Sequence, residues 1–375
     1  MKRVIVLGST GSIGTSALGI IKNNRTDFEL VAISANTNEK EILNQSNFFN
    51  VKNMALSGKT PESDKINFYG PDSIIHLIEE TDADIVVNGI SGAVGMAPSV
   101  ATLKTGKDLA LANKETMVLA GPLIRDLADL HGCRILPVDS EHSALFFLLE
   151  GKKRQLINEI IITASGGPFR GYNGEQLKNV TAAQAMKHPT WDMGYKISID
   201  SATLANKGLE VLEAWRLFDI SLNKIKVLIH PQSYVHSLVR TADMAMYAQI
   251  SNPDMRLPIQ NALYYPGMKA VPSTFLDLAG KNLSFSEPDI KNFPMLPLAY
   301  EAAESERSYP IVYNAVNEVA VQAFVDGKIQ FMEIPEITKE LLEKDWTVEV
   351  HSFSEVLQID KKARLQAEEV INGRK

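Results

Sequence analysis

Short apolar runs alternate with helical patterns across residues 1–140. Strands that alternate with helices in this way predict a parallel, doubly wound α/β sheet. Because such sheets bind ligands at the carboxyl ends of their strands, the residues after each run are the first candidates for a functional site. The runs that read as buried strands are RVIVLG, ELVAIS, MALS, DIVVNGI, DLALAN and RILPVD.

The first run leads directly into the glycine-rich segment GSTGSIG (8–14). Its spacing is GxxGxxG rather than GxGxxG, yet glycines here still permit a tight turn and let backbone N–H groups approach a pyrophosphate. The preceding strand and following helix match the context of a dinucleotide site. The segment therefore predicts such a site, with a plain glycine-rich turn as the alternative.

The residues after the second run bear on the choice of dinucleotide. An NAD site usually places Asp or Glu there to bind the ribose 2′-hydroxyl. In this chain Ala35, Asn36, Thr37 and Asn38 are uncharged, and Lys40 follows. With no carboxylate among these residues to repel a 2′-phosphate, the pattern favours NADP(H) over NAD(H).

Lys114 and Glu115 follow the fifth run, DLALAN. One interpretation is the start of a surface helix, with Glu115 in its first turn. Because these residues lie at the ligand edge of the predicted sheet, a role in the site is favoured for Lys114.

The sixth run stops at two carboxylates, Asp139 and Glu141, in the segment LPVDSEH (136–142). In an extended chain, residues i and i+2 point the same way, so the two side chains would converge and repel each other. We therefore expect a positive group between them.

A further strand-like segment, EIIITAS, opens into a Ser-Gly-Gly turn that begins at Ser165. The backbone of such a turn can hold an anion, although a simple turn is the alternative. The polar loop HPTWDMG (188–194) then carries Trp191, which indicates either a lid over a substrate or a core side chain. His188 at the base of this loop is either an anion donor or a satisfied histidine.

The segment DSATLANKGLEVLEAWRLF (200–218) predicts a helix capped by Asp200 or Ser201. Asn206 and Lys207 lie four and three residues before Glu210, so the three side chains share one helical face. A solvated ion pair is the ordinary interpretation of such a face. The helix is otherwise apolar, however, and Glu210 is a candidate third carboxylate.

Asp139, Glu141 and Glu210 would together supply three oxygen ligands. Carboxylates combined with waters and a chelating substrate suit Mg²⁺ or Mn²⁺. The sequence contains no cysteine cluster or HxxxH pair that would indicate structural zinc. Whether the strand end meets the helix is left to the tertiary structure.

The rest of the chain reads as strands with a hairpin at TADM, a loop and a helical end. Met255 in the loop NPDMRLPI either flanks a ligand or packs in the core. From Pro294 onward, four helical segments with short connections predict a small bundle.

Composition excludes several classes of protein. A net charge of −7 argues against a nucleic-acid-binding protein, and no apolar stretch approaches the roughly 20 residues that span a bilayer. The single cysteine, Cys133, excludes an intramolecular disulfide and fits a reducing cytoplasm.

Several motifs together resemble the 1-deoxy-D-xylulose 5-phosphate reductoisomerase family. The resemblance covers nearly the whole chain. Besides GSTGSIG, the matching motifs are ANKE (112–115), PVDSEH (137–142), SGGPFR (165–170), HPTWDMG (188–194), SIDSATLANKGLE (198–210) and HPQSYVHSLV (230–239).

The resemblance implies a cytoplasmic homodimer that takes a small sugar phosphate. It would convert 1-deoxy-D-xylulose 5-phosphate to 2-C-methyl-D-erythritol 4-phosphate, for non-mevalonate isoprenoid synthesis, by a carbon-skeleton rearrangement followed by NADPH reduction. The implied domains are a Rossmann-like NADPH domain (1–139), an α+β catalytic domain (140–276) with a lid loop (187–196), a linker (277–293) and a C-terminal four-helix bundle (294–375).

The resemblance also implies roles for individual residues. Mg²⁺ or Mn²⁺ would bind to Asp139, Glu141 and Glu210, which with Lys114 form the catalytic set. The substrate would contact Lys114, Ser140, Glu141, Ser165, His188, Trp191, Ser201, Asn206, Lys207, Glu210, His236 and Met255. NADPH would contact Thr10, Gly11, Ser12, Ile13, Asn36, Asn38, Asn113, Glu115 and Gly194.

One departure from the family pattern concerns the 2′-phosphate. Residues 36–38 of this chain hold no basic residue where some relatives carry a lysine, and Lys40 is a possible substitute. Two other functions stay open: an NADP-dependent dehydrogenase without rearrangement, and a non-catalytic NADP-binding sensor.

Overall fold

The computed structural model describes residues 1–191, 193–270 and 274–374. Within it the chain forms two compact units. The first unit comprises Met1–Thr116, Ile124–Ser143 and Asp254–Ser273. The second comprises Met117–Leu123, Ala144–Pro253 and Thr274–Lys375. Sequence-distant segments therefore build each unit.

The strands described form two sheets. Their bounds are β1 Lys2–Leu7, β2 Phe28–Ala35, β3 Asn53–Leu56, β4 Phe68–Tyr69, β5 Ile85–Asn88, β6 Asp108–Leu111, β7 Ile135–Pro137, β8 Ile157–Ala164, β9 Ile225–Ile229, β10 Val235–Thr241 and β11 Met246–Ile250.

The α-helices account for most of the remaining regular structure. Their bounds are α1 Ser12–Asn23, α2 Glu39–Phe49, α3 Ser73–Glu80, α4 Met96–Lys104, α5 Lys114–His131, α6 Ser140–Leu149, α7 Gly174–Leu177, α8 Ala182–Ala185, α9 Tyr195–Thr203, α10 Ala205–Phe218, α11 Arg256–Tyr264, α12 Met295–Ser305, α13 Tyr309–Val325, α14 Glu333–Leu342 and α15 Phe353–Gly373. None of the described helices combines the length and apolarity needed to cross a bilayer.

The first unit contains a parallel sheet in the order β4-β3-β2-β1-β5-β6-β7. The central strand β1 is buried on both faces, as a strand covered by helices on either side must be. The predicted doubly wound sheet is confirmed. The prediction missed β4, because a two-residue strand is too short to show a periodic pattern, and DLALAN is therefore the sixth strand.

The second unit contains a mixed sheet in the order β11-β10-β8-β9. Strands β8 and β9 are parallel, and β10 runs antiparallel to β8 and β11, so the predicted hairpin at TADM joins β10 to β11. The four predicted C-terminal helices are α12 to α15, with α13 packed against the other three. The predicted α+β and helical regions are confirmed.

The strand end at Asp139 differs from the prediction. Strand β7 stops at Pro137 and α6 begins at Ser140, so Glu141 is a helical residue and the extended-chain argument for its side chain was wrong. Asp139 instead caps α6, because its Oδ1 accepts the Glu141 N–H at 3.1 Å. Capping by a carboxylate satisfies a backbone donor at the positive end of the helix.

The predicted helix over 200–218 is also divided. Leu204 has a left-handed backbone (φ +63°), so α9 ends at Thr203 and α10 begins at Ala205. Asp200 and Ser201 lie in the last turn of α9 rather than at a helix start, and the N-cap prediction was wrong. A single left-handed residue ends one helix and redirects the chain before the next helix begins. The periodicity of the apolar residues does not reveal this break.

Candidate active site

The glycine-rich segment forms a tight turn between β1 and α1. Gly8 has a positive φ of 69°, and a Cβ on Gly14 would lie 2.3 Å from the Gly8 carbonyl oxygen. Only glycine at position 14 lets the helix start pack this closely on the turn. Thr10 and Gly11 precede α1, and Ser12 and Ile13 begin it, so they sit at the positive end of the helix dipole.

The turn after β2 carries the predicted cofactor residues Asn36 and Asn38. Asn38 caps α2 by accepting the Glu41 N–H at 3.2 Å, whereas Asn36 is exposed. Glu39, the first residue of α2, was not among the predicted site residues. This side chain is turned inward, where its Oε1 accepts the backbone N–H groups of Glu62 and Ser63 at 2.8 Å each.

Asn113 and Glu115 brace the loop that follows β5. The Asn113 amide donates to the carbonyl oxygens of Ile90 (2.8 Å) and Gly92 (2.9 Å), and Glu115 Oε1 accepts the Gly92 N–H. The two side chains also contact each other at 2.9 Å, and Asn113 Oδ1 caps α5 through the Thr116 N–H. The segment is a helix start with Glu115 in its first turn, but it is buried and does not lie at the surface.

Lys114 begins α5 at the ligand edge, and it is buried there. Its Nζ lies 3.1 Å from Oδ2 of Asp139, so this ammonium compensates the charge of that carboxylate. Nδ1 of His142 lies 3.1 Å from the other oxygen of Asp139. The Ser140 hydroxyl donates to Glu141 at 2.7 Å, which orients the second carboxylate.

His142 is a residue whose role the sequence reasoning missed. Its ring is fully buried and it lies three residues after Asp139 on the same turn of helix. The available signal was that spacing, which places a side chain at position i+3 beside the residue that caps the helix.

In the second unit, His188 connects the Ser165 turn to the loop that carries Trp191. Its Nδ1 accepts the backbone N–H groups of Thr190 (3.2 Å) and Trp191 (2.9 Å). A ring nitrogen that accepts two N–H groups carries no proton, so the neutral ring is protonated at Nε2. That N–H faces the Ser165 hydroxyl at 3.0 Å.

This arrangement gives Ser165 a defined role as a donor. Its Oγ accepts from His188 and from the Gly167 N–H at 3.2 Å, which leaves the hydroxyl proton to donate to an anion. Burial lowers the pKa of His188 to about 4, so the ring is neutral at physiological pH. His188 is therefore a satisfied histidine that positions a donor.

The Ser165 turn also contacts the last turn of α9. Gly167 has a φ of +69°, and a Cβ there would lie 2.5 Å from the carbonyl oxygen of Ser201. The structure thus brings two predicted substrate residues, Ser165 and Ser201, to neighbouring backbone segments. Asp200 beside Ser201 accepts from Lys196 (2.7 Å) and from Asn317 of α13 (2.8 Å), two anchors that the sequence prediction did not assign.

The shared face on α10 is confirmed. Asn206 donates to Oε1 of Glu210 at 2.7 Å, and the Lys207 ammonium contacts Oε2. Lys207 and Glu210 are both almost fully buried, which distinguishes this pair from a solvated surface ion pair. In the buried environment of this otherwise apolar helix, the interactions of the carboxylate with its two donors are stronger than they would be in water.

The other predicted substrate residues lie as follows. The Trp191 ring centroid is 6.4 Å from that of the buried His236. Of the predicted lid loop (187–196), Asp192 lies outside the described residues, and Gly194 precedes α9 as its N-cap. Met255 is half-buried at the N-terminal end of α11, which belongs to the first unit.

Family models match most of the chain. Residues 4–121 match the model of 1-deoxy-D-xylulose 5-phosphate reductoisomerase, and residues 135–218 match that of its C-terminal domain. Residues 250–366 match a DXP reductoisomerase C-terminal domain.

Individual relatives carry the same name. The chain is 45% identical over 377 residues to 1-deoxy-D-xylulose 5-phosphate reductoisomerase from Clostridium perfringens (strain 13 / Type A), covering 97% of this chain and 98% of the relative. It is 46% identical over 374 residues to the Treponema denticola protein of that name, covering 97% and 95%.

Solved structures of proteins with this name are also similar to the structure of this chain. The Zymomonas mobilis enzyme in complex with NADPH superposes with a TM-score of 0.91 at 39% identity, covering 99% of each chain. A DOX-P reductoisomerase in complex with NADPH, fosmidomycin and magnesium gives 0.92 at 35% identity, covering 99% of this chain and 98% of that one.

Proposed function

The chain belongs to the 1-deoxy-D-xylulose 5-phosphate reductoisomerase family, and from this membership we infer that it converts 1-deoxy-D-xylulose 5-phosphate to 2-C-methyl-D-erythritol 4-phosphate. The reaction depends on NADPH and a divalent metal ion and supplies isoprenoid precursors by the non-mevalonate route. The observation that carries this conclusion is the match over the whole length of the chain, which spans every residue of the candidate site.

The residues of the first unit fit NADPH. The closely packed Gly8–Gly14 turn before α1 suits a pyrophosphate, and we assign its binding to Thr10, Gly11, Ser12 and Ile13. Asn36 and Asn38 would contact the adenosine ribose. The family resemblance assigns Gly194, in the second unit, to NADPH as well. Asn113 and Glu115 would act mainly through the loop that they hold, because the Asn113 amide group is committed to that loop.

The donor set fits a hard divalent cation. Asp139, Glu141 and Glu210 would hold Mg²⁺ or Mn²⁺, because carboxylate oxygens are the ligands these ions prefer. The ion supplies Lewis acidity that polarises the substrate's carbonyl group and stabilises negative oxygen. Around it, the Lys114 ammonium compensates the charge of Asp139, and the Ser140 hydroxyl orients Glu141.

The second unit would bind the phosphate end of the substrate. The Ser165 hydroxyl, set as a donor by His188, would bind a phosphate oxygen together with Ser201, Asn206 and Lys207. Binding energy from this remote group helps to orient the reacting carbon atoms. Trp191, on a loop fixed to His188, would cover the substrate and exclude water, and His236 would line the pocket. The family resemblance assigns Met255 to the substrate as well.

We propose the functional division outlined from the sequence. In this division residues 1–139 bind NADPH, and residues 140–276, with the lid at 187–196, bind metal and substrate. Residues 277–293 form a linker to the C-terminal helices (294–375), which support the catalytic domain. The contact of Asn317 with Asp200 favours a supporting role for the C-terminal helices, because it ties α13 to the turn that carries Ser201.

We also propose that the protein is a cytoplasmic homodimer. Strand β11 is the edge of its sheet, and Met246, Tyr247 and Ile250 expose large apolar side chains there. An exposed apolar edge strand is a ready surface for pairing with a second copy. Light scattering should give a dimer mass that Tyr247→Asp reduces to a monomer; a monomeric wild type would refute the proposal.

The activity test follows NADPH oxidation with 1-deoxy-D-xylulose 5-phosphate, with and without Mg²⁺ or Mn²⁺, and identifies the product by NMR. Metal-dependent oxidation that yields 2-C-methyl-D-erythritol 4-phosphate is the expected result. An unbranched reduced product would indicate an ordinary dehydrogenase. No oxidation by a folded, NADPH-binding protein would indicate a sensor.

A further inference from the structure

The turns after β2 and β3 lie together at the ligand edge of the parallel sheet. The two strands pair up to Ala35 and Leu56, and the chain then continues as residues 36–38 and 57–59. Backbone hydrogen bonds join the turns: the Ser57 N–H donates to the Ala35 carbonyl (3.1 Å) and the Gly58 N–H to that of Asn36 (2.9 Å). This is the edge at which a dinucleotide's adenosine ribose binds.

Gly58 brings the second turn directly against Asn36. A Cβ on Gly58 would lie 2.0 Å from Asn36 Oδ1, which shows how closely the two turns approach each other. The next residue, Lys59, is consequently held beside a turn that itself contains no cation.

Glu39 positions the Lys59 side chain. The Lys59 ammonium lies 2.7 Å from Oε2 of the buried Glu39, and the exposed Glu62 carboxylate lies 3.5 Å away. The other Glu39 oxygen is used by two backbone N–H groups, which fixes the carboxylate. An ammonium has three N–H groups, and the Lys59 side chain is 35% exposed, so it can meet a phosphate without leaving Glu39.

Lys40 is the other lysine near this edge, and its position is less suitable than that of Lys59 for binding a phosphate there. The buried side of α2 consists of Glu39, Ile42, Gln45 and Ser46, whereas Lys40 is exposed. One residue along a helix turns the side chain by about 100°. Lys40 is therefore directed away from the contact between the two turns.

We propose that Lys59, positioned by Glu39, binds the 2′-phosphate of NADPH and makes this chain select NADPH over NADH. The cation comes from the turn after β3 instead of the turn after β2. This inference rests on the proposed function, because it assumes that the first unit binds NADPH. A single charge-assisted contact to a phosphate accounts for roughly 10- to 100-fold in affinity.

The experiment measures binding without turnover. Isothermal titration of the full-length protein uses 2′,5′-ADP and 5′-AMP, which differ only in the 2′-phosphate. For Lys59→Gln we expect the Kd of 2′,5′-ADP to rise roughly 10- to 100-fold and that of 5′-AMP to stay unchanged. Lys59→Arg should retain most of the preference. Lys40→Gln is the matched control and should bind both ligands as the wild type does.

Three results would overturn the proposal. Equal weakening of both ligands by Lys59→Gln would show that Lys59 only braces the loop. Unchanged binding of both, or a loss of preference in Lys40→Gln instead, would assign the phosphate to another group. A wild-type protein without preference for 2′,5′-ADP would remove the basis of the NADPH assignment itself, an outcome distinct from a failure of Lys59 alone.

Discussion

The Lys114 ammonium lies 3.1 Å from Oδ2 of Asp139, and this ion pair joins the carboxyl ends of the neighbouring strands β6 and β7. Both side chains are largely buried, at 10% and 13% exposure, where charges interact more strongly than in water. The same Asp139 caps α6 and contacts His142. Its carboxylate is thus oriented by a cation, a backbone N–H and an imidazole.

Replacing Lys114 with methionine removes the cation and keeps the length of the side chain. We expect turnover to fall by roughly 100-fold or more, because electrostatic stabilisation in the site is lost. NADPH affinity should not change. Steady-state kinetics and NADPH fluorescence measure the two effects, with Lys104→Met, at an exposed position on α4, as control. Near-normal turnover would show that the ion pair is only a structural contact and has no role in catalysis.

Replacing Glu210 with glutamine keeps the shape of the side chain and removes its charge. We expect metal-dependent turnover to fall by roughly 100-fold or more, since a Lewis acid contributes several kcal/mol. Binding of Mn²⁺, followed by electron paramagnetic resonance, should weaken while NADPH binding persists. Glu175→Gln is the control, because Glu175 forms an exposed pair with Lys178 at the same i,i+3 spacing. Unaltered Mn²⁺ affinity would exclude Glu210 as a ligand.

The neutral state of His188 has a consequence for pH dependence. Burial lowers its pKa from 6.5 to about 4, so the folded state favours the neutral ring. The stability that this contributes is fully present above pH 6.5 and is lost as the pH falls towards 4. An NMR titration, assigned with His188→Gln, should show the Nε2–H tautomer with a midpoint near 4. A midpoint near 6.5, or an Nδ1–H tautomer, would contradict the donor role of Ser165.

Asn113→Ala should destabilise the loop after β5. It leaves the carbonyl oxygens of Ile90 and Gly92 without their amide donor, which costs about 1–3 kcal/mol for each buried group left unsatisfied. Thermal unfolding should show a lower Tm, and NADPH should bind more weakly. The exposed Asn44→Ala serves as control. An unchanged Tm with weaker NADPH binding would instead indicate direct contact between Asn113 and the cofactor.

Local patterns were sufficient for most of the helices and strands of this fold. The apolar run of β1, the glycine turn before α1 and the i,i+3 and i,i+4 spacing on α10 each depend on neighbours within a few residues. Such patterns report the burial of one strand or one helix face directly. They failed where a single backbone angle decides, as at Leu204, and where a strand is two residues long, as at β4.

The sequence indicated which residues are candidates for the site, but not which contacts they make. The family motifs named Asp139, Lys114, Ser165 and His188, yet the direction of each hydrogen bond followed only from coordinates. Asp139 was expected to project from an extended strand, and it caps a helix instead. His188 had two interpretations until its Nδ1 was seen to accept two backbone N–H groups.

Local patterns and family motifs were enough to predict the parallel sheet, the C-terminal helices, the family and the chemical types of residue available to the site. Which side chains are in contact became known from the folded chain: Lys114 with Asp139, Asn113 with Gly92, and Lys59 with Glu39. The difference is one of separation along the sequence. Secondary structure arises from the periodicity of adjacent residues, whereas these contacts join segments that become neighbours only when parallel strands align and bring their carboxyl ends to one edge.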